Sequence, residues 1–62
     1  MNINIDNFST KYPKAKKIAV ENFCMSYDKF DVVASINLQQ DAKLYKWNND
    51  TINAIKDILK DK

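Results

Sequence analysis

The spacing of apolar residues predicts two amphipathic helices. From Pro13 onward, apolar residues recur at helical spacing at Ala15, Ile18, Ala19, Phe23 and Met25, with Val20, Cys24 and Tyr27 widening the apolar arc. Because proline fixes φ and has no amide hydrogen, it suits the first turn of a helix, so the first helix is predicted over residues 13–27. Cys24 is expected to be a buried core residue.

The second helix is predicted over residues 50–60. Residues 48–50 supply side chains that cap helix N-termini, and apolar residues then follow at Ile52, Ile55, Ile58 and Leu59. Upstream of Pro13, Asp6 is a candidate cap for a single helical turn over residues 7–10 that directs Ile5 and Phe8 inward.

Between the two helices the period of the pattern changes from 3.6 to 2. Over residues 30–38, the apolar Phe30, Val32, Ala34, Ile36 and Leu38 alternate with mostly polar residues, which is typical of a strand with one buried face. Residues 39–42 are interpreted as a turn, although they include no glycine to adopt a positive φ. Residues 43–47 then suit an antiparallel second strand whose register stays open.

These elements predict one small α+β domain over residues 1–62. Its order is helix, strand, strand, helix, with the two helices packed on one face of an antiparallel β-hairpin. A two-stranded sheet is marginally stable alone, and both of its edges carry unpaired backbone groups. Pairing of one edge with a second copy would stabilise it, so a homodimer is one expectation, with Lys43 and Lys46 guarding the other edge.

The composition excludes most catalytic chemistry. The chain contains no histidine, no glycine and a single cysteine. Without histidine, Ser-His and Cys-His nucleophile pairs are excluded, and without glycine so are the loops that cradle phosphates. One thiol does not supply the roughly four ligands of a structural zinc site. We therefore expect a protein that is not an enzyme and that binds neither cofactor nor metal.

The residue bias and the hydropathy predict a source and a compartment. All ten basic residues are lysine, and the chain has eight asparagines and a net charge of +2. This bias towards AT-rich codons predicts a low-GC bacterium, or a phage or other mobile element of one, as the source. No run approaches the roughly 18 apolar residues of a membrane span, and the N-terminal residues do not resemble a secretion signal. Together with the lone cysteine, these features predict a cytoplasmic protein.

The favoured function is protein binding. Tyr45 and Trp47 are expected on the outer face of the hairpin, with Val33 beside them across the two strands. Large surface aromatics are enriched among the residues that dominate binding energy. We therefore expect a protein-interaction module of the adaptor or inhibitor type, whose partner contacts Val33, Tyr45 and Trp47. A competing interpretation is that Trp47 folds under the second helix and completes the core.

The alternative function is nucleic-acid binding. Residues 11–17 place Lys11, Lys14, Lys16 and Lys17 around Tyr12. Such a segment can contact phosphates through its lysines and stack a base on its aromatic ring. The modest net charge of +2 and the absence of arginine, which reads guanine, argue against it.

Overall fold

The computed structural model describes residues 8–60. Four α-helices follow one another in this range: α1 Phe8–Lys11, α2 Lys17–Met25, α3 Val32–Tyr45 and α4 Asn49–Lys60. No strand occurs within residues 8–60, so the predicted α+β fold with its β-hairpin is wrong and the described chain is all-helical. None of these four helices is both long enough and apolar enough to cross a membrane.

A single helix, α3, occupies the region predicted to form the first strand, the turn and most of the second strand. Its N-terminus is capped by Asp31, whose Oδ1 accepts a hydrogen bond from the backbone N–H of Ala34 at 2.8 Å. No glycine or proline interrupts residues 32–45, and most of residues 39–44 are good helix formers. Ala34 and Leu38, one helical turn apart, are buried, whereas Val32 and Ile36 are exposed. The alternating pattern therefore reflects two sides of a helix rather than one face of a strand.

The loss of the hairpin also removes the sheet edges on which the expected homodimer rested. Lys43 lies within α3 and Lys46 directly follows it, so neither guards a strand edge. Within residues 8–60, pairing of strands between two copies has no structural basis.

Helix α2 begins four residues later than predicted, because the segment before it is bound to the start of α4. The backbone N–H of Lys14 donates to Asp50 Oδ2 at 3.1 Å, and that of Lys16 donates to Thr51 Oγ1 at 2.8 Å. Asn48 Nδ2 donates to the Lys14 carbonyl at 2.8 Å. Since these bonds satisfy backbone groups outside a helix, Lys16 keeps an extended conformation, with φ −77° and ψ 103°.

The buried face of α2 also differs from the predicted one. Val20, Phe23 and Cys24 are buried, which confirms the core role expected for Cys24. Ile18 and Met25, which were expected to face inward, are exposed.

Helix α4 confirms the second predicted helix almost to the residue. Asn48 Oδ1 accepts hydrogen bonds from the backbone N–H of Thr51 at 3.0 Å and from its hydroxyl at 2.6 Å. This cap satisfies an N–H at the helix terminus and the hydroxyl of Thr51, which is fully buried. Its inward face carries Ala54, Ile55, Ile58 and Leu59.

The core lies around α4, which packs most extensively on α2 and also contacts α1. Phe8 of α1 is buried, which confirms its inward direction, whereas the predicted roles of Ile5 and Asp6 lie outside the described residues. Helix α3 contributes only Ala34 and Leu38 to the buried cluster. Much of the apolar surface of α3 therefore remains at the surface.

Candidate protein-binding grooves around Trp47

The position of Trp47 is fixed by an unusual residue at the end of α3. Lys46 adopts the left-handed conformation, with φ 56° and ψ 47°. The backbone N–H of Trp47 then donates back to the carbonyl of Ala42 at 3.0 Å, as in the Schellman arrangement that ends many helices. This reversal turns the chain so that Trp47 lies beside Tyr45 instead of continuing along the helix axis.

Trp47 belongs to a row of aromatic rings that runs from the surface towards the core. Tyr45 and Trp47 stack with their ring centroids 5.7 Å apart and their planes inclined by 20°. The other side of Trp47 meets the buried ring of Phe23 edge-on at 6.2 Å, and Phe23 stacks on Tyr27 at 4.7 Å. Trp47 is half-buried against the core. It is thus neither the fully exposed residue of the binding interpretation nor a core residue hidden under α4.

The structure does not place Val33 with this aromatic pair. Val33 lies in the first turn of α3 and Tyr45 is its last residue, twelve positions later. At about 1.5 Å of rise per residue, they are separated by roughly 18 Å along the helix axis. Val33 is exposed. The predicted set of Val33, Tyr45 and Trp47 therefore splits, and only its two aromatic members form one surface.

A groove between α2 and the end of α3 has this aromatic pair on one wall. We call it the aromatic groove; it has a volume of about 440 Å³, and its lining includes Ile18, Asn22 and Phe23 from α2, Asp41 and Tyr45 from α3, and Trp47. Ile18 is 72% exposed and Tyr45 is 58% exposed, so both edges of the groove present apolar surface to solvent. Sequence reasoning missed Ile18 because its helical spacing placed it on the buried side of α2.

A second groove lies on the other side of Trp47, between α3 and α4. We call it the lysine groove; it has a volume of about 510 Å³, and three lysines lie among its lining residues: Lys43, Lys56 and Lys60. Lys56 and Lys60 lie four residues apart on α4, which places them on one side of that helix. The spacing of these two lysines was the available signal in the sequence, but lysines one turn apart also occur on ordinary solvated helix faces.

The lysine-rich segment 11–17 is largely engaged within the fold. The Nζ of Lys11 lies 3.3 Å from Asp57 Oδ2, and the Tyr12 hydroxyl donates to the same carboxylate. Lys17 pairs with Glu21 at 3.9 Å on the surface of α2. Lys14 and Lys16 are exposed, but their backbone amides are the ones bound to α4.

The hydrogen bond between Tyr12 and Asp57 shifts the two pKa values in opposite directions, as expected when a neutral phenol donates to a carboxylate. It lowers the pKa of Asp57, aided by the bond from Lys11 and opposed by partial burial. The same bond, with burial and the negative charges of Asp57 and Asp50, raises the pKa of Tyr12 to about 12. The aromatic ring of the segment is therefore anchored to α4 through its hydroxyl, and a carboxylate offsets the neighbouring cation. Both features weaken the case for a nucleic-acid surface.

Comparison with known proteins adds no relative to this geometry. None of the protein-family models, curated proteins or solved structures matches the chain. Within residues 8–60, no three side chains of the histidine, cysteine, aspartate or glutamate type lie close enough together to hold a metal ion. The two grooves that share Trp47 are therefore the candidate binding sites.

Proposed function

We propose that this protein is a non-enzymatic protein-interaction module of the adaptor or inhibitor type, and that its partner binds in the aromatic groove. The observation that carries the proposal is the stacked pair of Tyr45 and Trp47 facing the exposed side chain of Ile18 across that groove. Removing apolar surface of this kind from water by covering it with a partner is favourable and would stabilise the complex. The lone, buried Cys24 fits the reducing compartment that we also propose for it, the cytoplasm.

The two aromatic rings have the properties of an interaction hot spot. Trp47 is held on one side by Phe23 and on the other by Tyr45, so little of its conformational freedom remains to be lost on binding. Tyr45 lies at the exposed edge, where a partner can remove its ring from water. Tyrosine and tryptophan anchors of this kind often contribute about 2 kcal/mol or more each.

The charge of the groove indicates the chemistry of the partner. Asp41 is the one charged residue in its lining, and it forms no salt bridge within residues 8–60. An apolar side chain entering beside Asp41 would therefore be accompanied most favourably by a lysine or arginine. We propose a partner segment that combines an apolar anchor with a neighbouring cation.

Site-specific photo-crosslinking followed by titration tests this proposal. A photoreactive phenylalanine at position 45 should capture the partner from cells of the source organism, and the same group at the exposed position 53, outside both grooves, should not. The purified partner should then change the fluorescence of Trp47, which is the only tryptophan of the chain.

Variants of the groove decide whether the captured protein binds there. Ile18→Asp and Tyr45→Ala should each weaken binding by about thirtyfold, which corresponds to about 2 kcal/mol. Leu44→Asp is the matched control, because Leu44 is 69% exposed and lines neither groove. Equal capture from positions 45 and 53, or equal affinity of Ile18→Asp and Leu44→Asp, would refute binding in the aromatic groove.

A further inference from the structure

The lysine groove combines an apolar floor with a purely positive rim. Its floor includes Leu38 and Ala42 of α3, Ile52 of α4 and the edge of Trp47. Leu38 is buried, while Ala42, Trp47 and Ile52 are half-buried. The floor is thus continuous with the core and offers aliphatic surface to a side chain from outside.

The three lysines around this floor have no salt-bridge partner within residues 8–60, although the charge of Lys60 helps to lower the pKa of Asp57. No aspartate or glutamate is among the residues that line the groove. The salt bridges within residues 8–60 use Lys11 and Lys17, so Lys43, Lys56 and Lys60 are not part of one. Asp57, next to Lys56 in the chain, is bound by Lys11 and Tyr12. The lining of the groove therefore carries three positive charges and no negative one.

We propose that the lysine groove binds an acidic amphipathic helix of a partner protein. Lys56 and Lys60 lie one turn apart, roughly 6 Å along the axis of α4. Two carboxylates one turn apart on a partner helix have the same spacing, so both can pair with these lysines at once. The apolar side chains of that helix then cover the half-buried Ala42, Trp47 and Ile52, which is how amphipathic helices dock in apolar grooves.

The aromatic residues of this groove favour a protein over a nucleic acid. Single-stranded nucleic acids stack their bases on open aromatic faces. Here the ammonium group of Lys60 lies 5.7 Å from the ring centroid of Phe30, over its face, and Trp47 is held between Phe23 and Tyr45. One face of Phe30 and both sides of Trp47 are thus already in contact, whereas the half-buried Ala42 and Ile52 offer aliphatic surface that matches leucine or isoleucine side chains.

This inference goes beyond the proposed function because it assigns a second ligand, of opposite charge, to a separate groove. An interaction module with two such grooves would hold two segments at once, one cationic beside Asp41 and one acidic beside Lys43, Lys56 and Lys60. That is the arrangement expected of an adaptor rather than of a simple inhibitor.

A designed peptide tests the inference with the whole protein. The probe is a helical peptide of about 15 residues, near the length at which isolated helices become stable. It carries leucines on one face, glutamates one turn apart on the adjacent face, and no tryptophan, so that Trp47 reports binding. The expected result is a saturable change in Trp47 fluorescence with the glutamate peptide and a much weaker one with a glutamine version of it.

Charge reversal in the protein locates the binding site. Lys56→Glu should lower the affinity for the glutamate peptide about tenfold, because it replaces an attraction between opposite charges by a repulsion at the edge of the groove. The substitution also places opposite charges four residues apart on α4, which favours the helix, and an unchanged circular dichroism spectrum and Tm of the variant show that lost affinity does not come from unfolding. Lys16→Glu is the matched control, since it changes the net charge equally and Lys16 lines neither groove; it should bind within about twofold of the parent protein.

Three outcomes would overturn the inference. The first is no saturable change at millimolar glutamate peptide, and the second is equal weakening by Lys56→Glu and Lys16→Glu. The third is that the parent protein binds a single-stranded oligonucleotide instead of the peptide, and that Lys56→Glu lowers the affinity for this oligonucleotide. Ile18→Asp, which alters the aromatic groove, should leave the peptide affinity unchanged, so failure here is distinguishable from failure of the proposed function.

Discussion

Removal of the Asp31 side chain tests the residue that begins α3. The Asp31 carboxylate accepts a hydrogen bond of 2.8 Å from the backbone N–H of Ala34, one of the amides that the helix itself leaves without a partner. It also places a negative charge at the positive end of the helix dipole. Asp31→Ala should therefore lower the free energy of unfolding by about 1 kcal/mol, within the usual range of roughly 0.5–2 kcal/mol for a lost cap.

Thermal and urea unfolding, followed by far-ultraviolet circular dichroism, measure this loss. In a domain of about this size, 1 kcal/mol lowers Tm by roughly 4–8 °C. Asp28→Ala is the matched control, because Asp28 is exposed, carries the same charge and lies outside α3; its Tm should change by less than about 2 °C, as for most surface substitutions. Asp31→Asn keeps a capping oxygen without the charge and should recover most of the lost stability.

Two results would refute this reasoning. Equal Tm values for Asp31→Ala and Asp28→Ala would show that the cap does not stabilise α3. A far-ultraviolet spectrum of the parent protein dominated by strand would show that residues 32–45 do not form the helix at all. The second result would also remove the wall that α3 gives to both grooves.

Four further substitutions test the packing, the ionisable pair and the chain reversal. Leu38→Ala should destabilise the protein by about 2–5 kcal/mol in urea unfolding, whereas Leu44→Ala, on the exposed side of the same helix, should cost less than about 0.5 kcal/mol. Tyr12→Phe should cost about 1.5–3 kcal/mol, since it removes a hydrogen bond to the charged Asp57. The pKa of Asp57 is lowered on folding, so the ionised carboxylate stabilises the folded state at pH values above its ordinary pKa of 3.8. This stabilisation is lost as the pH falls through the pKa of the folded state. Asp57→Asn should therefore make the free energy of unfolding depend less on pH in the acid range. The protonated Tyr12 hydroxyl stabilises the folded state below its ordinary pKa of 10.0, and this stabilisation is lost as the pH rises towards about 12. An absorbance titration of the phenol measures the raised pKa. Lys46→Gly should raise the free energy of unfolding by up to about 1 kcal/mol, because glycine adopts the left-handed conformation without the steric cost borne by lysine; an unchanged or lower Tm would contradict this.

The C-terminal half of the fold was predictable because its local signals agree with its packing. In α4 a capping asparagine precedes a regular apolar stripe, and that stripe is the face buried in the structure. In α3 the local pattern and the packing disagree. Val32 and Ile36 are apolar but exposed, so the apolar residues do not recur with the 3.6-residue period that would identify a helix. The capping role of Asp31 was readable in principle, but the alternation over residues 30–38 outweighed it.

The candidate site was only partly accessible from sequence for a related reason. Tyr45 and Trp47 were identified by residue type, because large aromatics at a surface are candidates for binding in any fold. Their neighbours depend on tertiary packing: Ile18 reaches the groove from α2, and Val33 moves away once α3 is a helix. The backbone bonds from Lys14 and Lys16 that delay α2 likewise depend on residues far along the chain.

Trp47 borders both grooves, and this shared wall has a thermodynamic consequence. Because Phe23 and Tyr45 hold the indole ring, a ligand that displaces it from one groove would have to disturb this packing and would thereby alter the space offered in the other groove. The two proposed ligands would then influence each other through a single side chain. By linkage, any factor by which the first ligand changes the affinity for the second applies equally in the reverse direction. A molecule this small would then transmit a signal between two partners without any movement of its backbone.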